Sequence, residues 1–184
     1  AIDMGYSYLA VTDHSKSLSV ANGLTEERLE QQWDDIDKLN QDLAPFKIFK
    51  GVEVDILRNS KLDYEDELLS RLDIVIASIH TAFNLDAPAM TERLTAAIEN
   101  PYVDIIAHTT GRILGRRPPY DFDFETIVRK AAETGTAFEI NASPDRLDLS
   151  AENVRFAKDQ GVKIAINTDA HDKAGLSFME YGVT

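Results

Sequence analysis

No cysteine occurs anywhere in the 184 residues. Disulfides and thiolate metal sites are thereby excluded, and any metal has to be held by His, Asp or Glu. Positive charge is scarce too: 19 Lys and Arg stand against 32 Asp and Glu, a formal net charge of −13. That surplus repels polyanions, so a nucleic-acid substrate needs bound cations or a local basic patch to approach. Long apolar runs are missing, and none reaches the roughly 18 residues that a membrane-spanning helix needs. The opening Ala1-Ile2-Asp3-Met4-Gly5 lacks the basic segment and apolar stretch of a signal peptide. A cytoplasmic protein with no membrane partner is the expectation. Histidine is rare as well, with only four in the chain.

Each of the four closes an apolar, strand-like run. Tyr8 to Asp13 leads into His14, Ile74 to Ile79 into His80, Val103 to Ala107 into His108, and Lys163 to Ala170 into His171. In α/β proteins, ligands and chemistry gather beyond the carboxyl ends of parallel strands. One histidine alone is more often structural than a ligand. Four that all end apolar strands point to one convergent site, with metal as its occupant.

The rest of the chain supports a βα rhythm. Leu29, Trp33, Ile36, Leu39 and Leu43 recur at helical spacing, which predicts an amphipathic helix over 25–43 ended by Pro45. Further strands are expected at 46–54, 73–79, 103–107, 136–141 and 162–168. Between them stand a short helix near 64–71, a helix carrying Met90, Leu94, Ala97 and Ile98, one capped by Asp123 and ended by Gly135, and one capped by Ser150 and ended by Gly161. Six strands alternating with helices, and buried on both faces, argue for an α/β parallel sheet or barrel in one domain, 1–184. The first residues read as a helix end turning at Gly5, and the chain stops just after a short helical stretch, so a part of a longer chain is expected.

Several groups stand at the predicted strand ends. Asp169 and His171 are two apart and can chelate one ion, and Asp13 precedes His14 in a similar setting. Glu53 lies inside an apolar strand beside Gly51, where a carboxylate needs a cation, a metal or a full set of hydrogen bonds. Glu139 raises the same question, but no histidine follows it, and a structural ion pair is its simpler reading. Arg112, Arg116 and Arg117 cluster just after His108 and can clamp phosphate, joined by Lys16 and Arg146 from other loops. The plainer alternative is a basic surface turn facing the acidic majority.

The motifs T-D-H-S at 12–15, G-V-E-V-D at 51–55, A-S-I-H at 77–80, I-I-A-H at 105–108, E-I-N-A at 139–142 and T-D-A-H at 168–171 resemble, in order, those of the PHP (polymerase and histidinol phosphatase) superfamily. S-K-S-L-S-V-A-N-G-L at 15–24, G-R-I-L-G-R-R at 111–117 and S-P-D-R-L-D-L at 143–149 narrow the resemblance to the C-terminal PHP domain of bacterial family X DNA polymerases.

The resemblance implies a distorted (β/α)7, TIM-like barrel with up to three divalent ions, manganese or zinc. His14, Glu53, His80, His108, Asp169 and His171 match ligand positions. By that likeness Glu53 bridges two ions, His80 and His108 complete one of them, Asp169 belongs to the first, and His14 and His171 hold the third. No side chain acts as catalyst beyond the water that the metals hold. The implied activity is 3′→5′ exonuclease and 3′-end processing in DNA repair. The implied partners are single-stranded 3′ ends and a polymerase domain upstream in the same chain.

Two departures matter. The family's opening H-x-H and the ligand that follows it are absent, so the barrel is expected to lack its first strand and to hold fewer ions. Thr109 also stands where the subfamily usually has proline. Glu53, His80 and His108 form the ligand set expected to be whole. A small-molecule phosphatase of histidinol-phosphatase type and a non-catalytic structural module are the alternatives.

Overall fold

Short runs rich in β-branched residues, separated by capped amphipathic segments, produce six parallel strands with intervening helices. The computed structural model describes residues 1–184. The strands are β1 (Tyr8–Val11), β2 (Lys47–Asp55), β3 (Ile74–Ser78), β4 (Ile105–Ile106), β5 (Ala137–Asn141) and β6 (Ile164–Asn167). The helices are α1 (Glu26–Asp42), α2 (Asp66–Leu69), α3 (Ala87–Ile98), α4 (Phe124–Thr134), α5 (Ala151–Asp159) and α6 (Met179–Val183). Strand order follows chain order, and every pairing is parallel. The helix starts obey local chemistry: Thr25, Asp86, Asp123 and Ser150 each accept a hydrogen bond from a main-chain N–H of the first turn. Gly135 ends α4 at φ 85°, a conformation that suits glycine.

The sheet curls into a partial barrel. Five inter-strand steps of about 4.8 Å would hold the edges of a flat six-stranded sheet about 24 Å apart. Yet the rings of His14, after β1, and His171, after β6, lie 5.9 Å apart. The Tyr6 hydroxyl, before β1, also donates to the Leu176 carbonyl, after β6, at 2.6 Å.

Alternation along the strands divides the two faces. Val52, Val54, Val75, Ala77 and Phe138 pack into the main core with Leu29 and Trp33 of α1, Leu94 and Ile98 of α3, and Ile127 and Val128 of α4. The opposite, concave face holds a much smaller cluster of Ile76, Ile105 and Ala107, flanked by Ile74, Ala137 and Ala165. Above that apolar floor, the ends of the same strands carry polar side chains.

Three expectations need correction. The strands are not all buried on both faces: β1 and β6 are sheet edges, no residue of either is fully buried, and the ring of Tyr8 is exposed. Leu39, read as part of the apolar stripe of α1, is also exposed, and that stripe ends at Ile36. β4 is shorter than expected because the Asp104 carboxylate takes the N–H of Val75 at 2.8 Å, while past Ala107 the chain turns to φ 29° at His108.

Gly51 permits the close approach of β1 and β3 to β2. A Cβ there would lie 2.7 Å from both Ile74 Cγ2 and Thr12 Cγ2, and 3.0 Å from the Val11 carbonyl oxygen. Gly51→Ala is therefore expected to cost about 1–3 kcal/mol of stability, read as a lower urea midpoint. An unchanged midpoint would mean that the flanking strands yield freely.

Candidate metal centre

Backbone pairing continues past the end of β1 and sets the first ligand candidate in place. The Glu53 N–H donates to Asp13 O at 3.0 Å, and the Ser15 N–H to Glu53 O at 3.1 Å, which bridges His14 to Glu53. Glu53, His80 and His14 then project from the inner face of β2, the end of β3 and the end of β1. His108 joins them from the end of β4.

Glu53 is the hub. Its Oε1 lies 3.3 Å from His80 Nε2 and 3.1 Å from His108 Nε2, and its Oε2 lies 3.6 Å from His14 Nδ1. Ring centroids are 4.8 Å apart for His14 and His80, and 5.2 Å for His80 and His108. One donor atom from each of His14, Glu53 and His80 falls within 4.8 Å of the others. The tightest group thus pairs Glu53 and His80 with His14, and His108 shares the Oε1 oxygen of that carboxylate with His80.

The electrostatics follow from burial and contact. Burial pushes the Glu53 carboxyl up, but the His108 and His80 contacts outweigh it and hold the group well below the usual carboxylate range. Burial also opposes charge on His80, yet Asp55 and Glu53 prevail and raise it to about 9. His14 is lowered, by burial first, with Glu53 opposing and His80 and His171 adding like charge.

Asp169 and His171 do not contact Glu53, although the His171 ring lies 5.9 Å from that of His14. The Asp169 carboxylate accepts from Asn141 Nδ2 at 2.9 Å and pairs with Arg146 Nε at 3.4 Å. His171 Nδ1 lies 2.9 Å from the Asp169 carbonyl oxygen, and its side chain is 69% exposed. Asp13, although next to His14, turns outward and accepts from Gln32 Nε2 at 2.7 Å.

The basic residues do not converge. Arg112 donates to the carbonyls of Arg146 and Leu147, which fastens one strand-end loop to another. Arg117 donates to Gly111 O and lies over the Phe83 ring at 4.1 Å. Lys16 is engaged by Glu26 at 2.6 Å. Arg116 and Arg146 do face an open cleft of about 330 Å³, shared with Ser143, Asp169, His171 and Phe178.

Two buried groups, Asp55 and Arg93, escaped the sequence reading of the site, and a third, Glu139, was read as a structural ion pair. Asp55 lies two residues beyond Glu53 on the same strand face, and that spacing was the available signal. Its carboxylate meets His80 Nδ1 at 2.8 Å. Arg93, on the inner face of α3, donates to the carbonyls of Ile56 and Thr81 and ties together the loops after β2 and β3. Its position three residues after Met90 and four before Ala97 puts it on the apolar face of the helix, the signal that was available. Glu139 makes no ion pair: it accepts from the His108 N–H and from Asn167 Nδ2, both at 2.8 Å. Burial pushes it up to about 7 against the pull of His108 and Asn167.

The donor set fits a divalent metal. His14 Nδ1 and His108 Nδ1 are buried without any hydrogen-bond partner, a costly arrangement for polar atoms. Imidazole nitrogens around one carboxylate, with no thiolate, are the ligands that zinc and manganese accept.

The chain is 52% identical over 183 residues to "DNA polymerase/3'-5' exonuclease PolX" of Bacillus subtilis (strain 168), covering all of this chain but 32% of that protein. It thus spans about a third of that relative's length. It is 34% identical over 181 residues to a "Probable phosphatase" of Thermoanaerobacter sp. (strain X514), covering 93% of this chain and 69% of that protein. Among solved structures, a histidinol phosphate phosphatase from Lactococcus lactis, complexed with zinc, L-histidinol and phosphate, superposes with a TM-score of 0.59 at 20% identity. That match covers 99% of this chain and 82% of the other, and it extends to the fold. No family model matches the chain.

Proposed function

The chain belongs to the PHP (polymerase and histidinol phosphatase) superfamily, and on that premise we propose that it is a metal-dependent phosphoesterase acting at the 3′ ends of DNA. In this reading it is the 3′→5′ exonuclease and end-processing domain of a family X repair polymerase, with the polymerase domain upstream in the same protein. The observation that carries it is the convergence of His14, His80 and His108 on the buried Glu53, in a chain that is 52% identical, over all of its own residues, to about a third of the B. subtilis polymerase/exonuclease.

His14, Glu53 and His80 would hold one divalent ion, manganese or zinc, with His108 completing the surroundings of Glu53; Asp169 and His171 would serve a neighbouring position. When bound, such ions make a water nucleophilic near neutral pH and neutralise charge on the phosphate oxygens. The chain's own residues supply placement. Glu53 concentrates negative charge at the floor of the site, and the Glu139 carboxylate holds the His108 backbone through its N–H. Arg146, paired with Asp169, and Arg116 at the cleft present cationic groups to a phosphate backbone.

A second reading is hydrolysis of a small phosphomonoester. It is favoured by the phosphatase relative and by a cleft of about 330 Å³, ample for a small molecule.

The test compares nucleotide release from a 3′-labelled single strand with phosphate release from histidinol phosphate, in the presence of manganese or zinc. Faster turnover of the DNA supports the proposal, and hydrolysis of the small ester alone transfers the site to the second reading. His80→Ala is expected to lower the rate by about a hundredfold or more. Equal rates would remove His80 from the site, and a protein free of bound metal would make the domain a structural module.

A further inference from the structure

A buried carboxylate stands against the site, outside the expected set of ligands. Asp55 is 4% exposed. Its Oδ1 lies 2.8 Å from His80 Nδ1, and its Oδ2 accepts from Ser17 Oγ at 3.0 Å. Its own N–H donates to Ser15 Oγ at 2.9 Å. Both carboxylate oxygens therefore have partners, and the strand that carries Asp55 also carries Glu53. The spacing of two residues puts Glu53 at one nitrogen of the His80 ring and Asp55 at the other.

We propose that Asp55 is a positioning residue: its carboxylate holds His80 in the Nδ1–H form and aims the bare Nε2 at the cation position between His14 and Glu53. A carboxylate only accepts hydrogen bonds, so the proton of the Asp55–His80 contact belongs to Nδ1. Without metal the second ring proton sits on Nε2, which faces Glu53 3.3 Å away; a cation bound there would replace that proton and take the lone pair, while Nδ1–H stays with Asp55. Ser78 Oγ, 3.2 Å from the same Nδ1, takes the weaker share of the bond. Ser17 holds the carboxylate and Ser15 the Asp55 main-chain N–H, so the loop that follows His14 also sets the orientation of His80. Carboxylate partners of this kind fix ring orientation and raise ligand basicity. The inference rests on the metal-centre reading and adds to it a residue that touches no metal.

Asp55→Asn keeps the shape but removes the charge, and its amide can turn its NH2 to Nδ1 and favour the wrong tautomer. Calorimetric titration of the metal-free protein with zinc chloride is expected to show a 10–100-fold loss of affinity in Asp55→Asn. A second measurement needs no variant. Nitrogen-15 NMR of the histidine rings in zinc-loaded wild type, with His80 identified by its absence in His80→Ala, is expected to show a protonated Nδ1 and a metal-bound Nε2. Equal zinc affinity in the two proteins, or a His80 ring bound through Nδ1, overturns the role of Asp55 while the metal centre stands. Zinc that binds neither protein overturns the centre and the role together.

Discussion

Glu53→Gln is expected to abolish zinc or manganese binding at the hub and to reduce phosphoester hydrolysis by well over a hundredfold, beyond the loss of about 10–100-fold typical of an outer partner. The two oxygens of Glu53 face different rings: Oε1 meets His80 and His108, and Oε2 meets His14. An amide keeps one acceptor and turns a pair of donors toward the remaining nitrogen, where a lone pair is needed to bind a cation. The substitution also strips the anion from a site that is buried among imidazoles, so a dication there would lack the charge that stabilises it. Zinc retained per chain after dialysis, together with the rate on a 3′-labelled strand, measures both effects. A Glu53→Gln protein that keeps its metal and its rate would show that the convergence on Glu53 is structural.

The second large effect is one of pH on the metal-free protein. His80 is raised from 6.5 to about 9, by the Asp55 and Glu53 carboxylates acting against burial. In the folded state it therefore keeps a proton that the unfolded chain has released. Its stabilising contribution is complete below about pH 6.5 and is lost as pH rises through about 9, a change of at most about 3 kcal/mol. Glu139, raised from 4.5 to about 7 mainly by burial, loses its contribution in a lower window, between those two values. Urea unfolding in the presence of a chelator is expected to give a falling stability between about pH 6.5 and about pH 9. The same series with His80→Gln should be nearly flat over that range, and saturating zinc should flatten the wild type by displacing the proton. A wild-type profile that is level without metal would mean that His80 is not held by its two carboxylates.

How much of this was legible beforehand differs between elements. The parallel strands and their helices were readable because both signals are local. Asp123 and Ser150 announce helix starts, and Gly135 announces an end. The apolar runs before His14, His80, His108 and His171 mark strands by composition alone. Strand ends were less readable. The Asp104 carboxylate stands in for a main-chain acceptor at Val75, and no local pattern records that exchange. The same holds for the arginines. Arg112, Arg116 and Arg117 look alike in sequence, but one fastens a loop, one faces the cleft and one lies over Phe83.

The sequence by itself determined which residues stand at strand ends and which donor types exist there, because alternation and capping are properties of neighbouring residues. Only the tertiary structure decided which of those donors meet. Curling of the sheet brings the loops after β1 and β6 within reach of each other and gathers three imidazoles on Glu53. It leaves Asp169 with Arg146 and turns Asp13 toward Gln32. The physical reason is that convergence depends on the curvature of six strands together and on competition among partners for each carboxylate. Both are set by residues far apart in the chain.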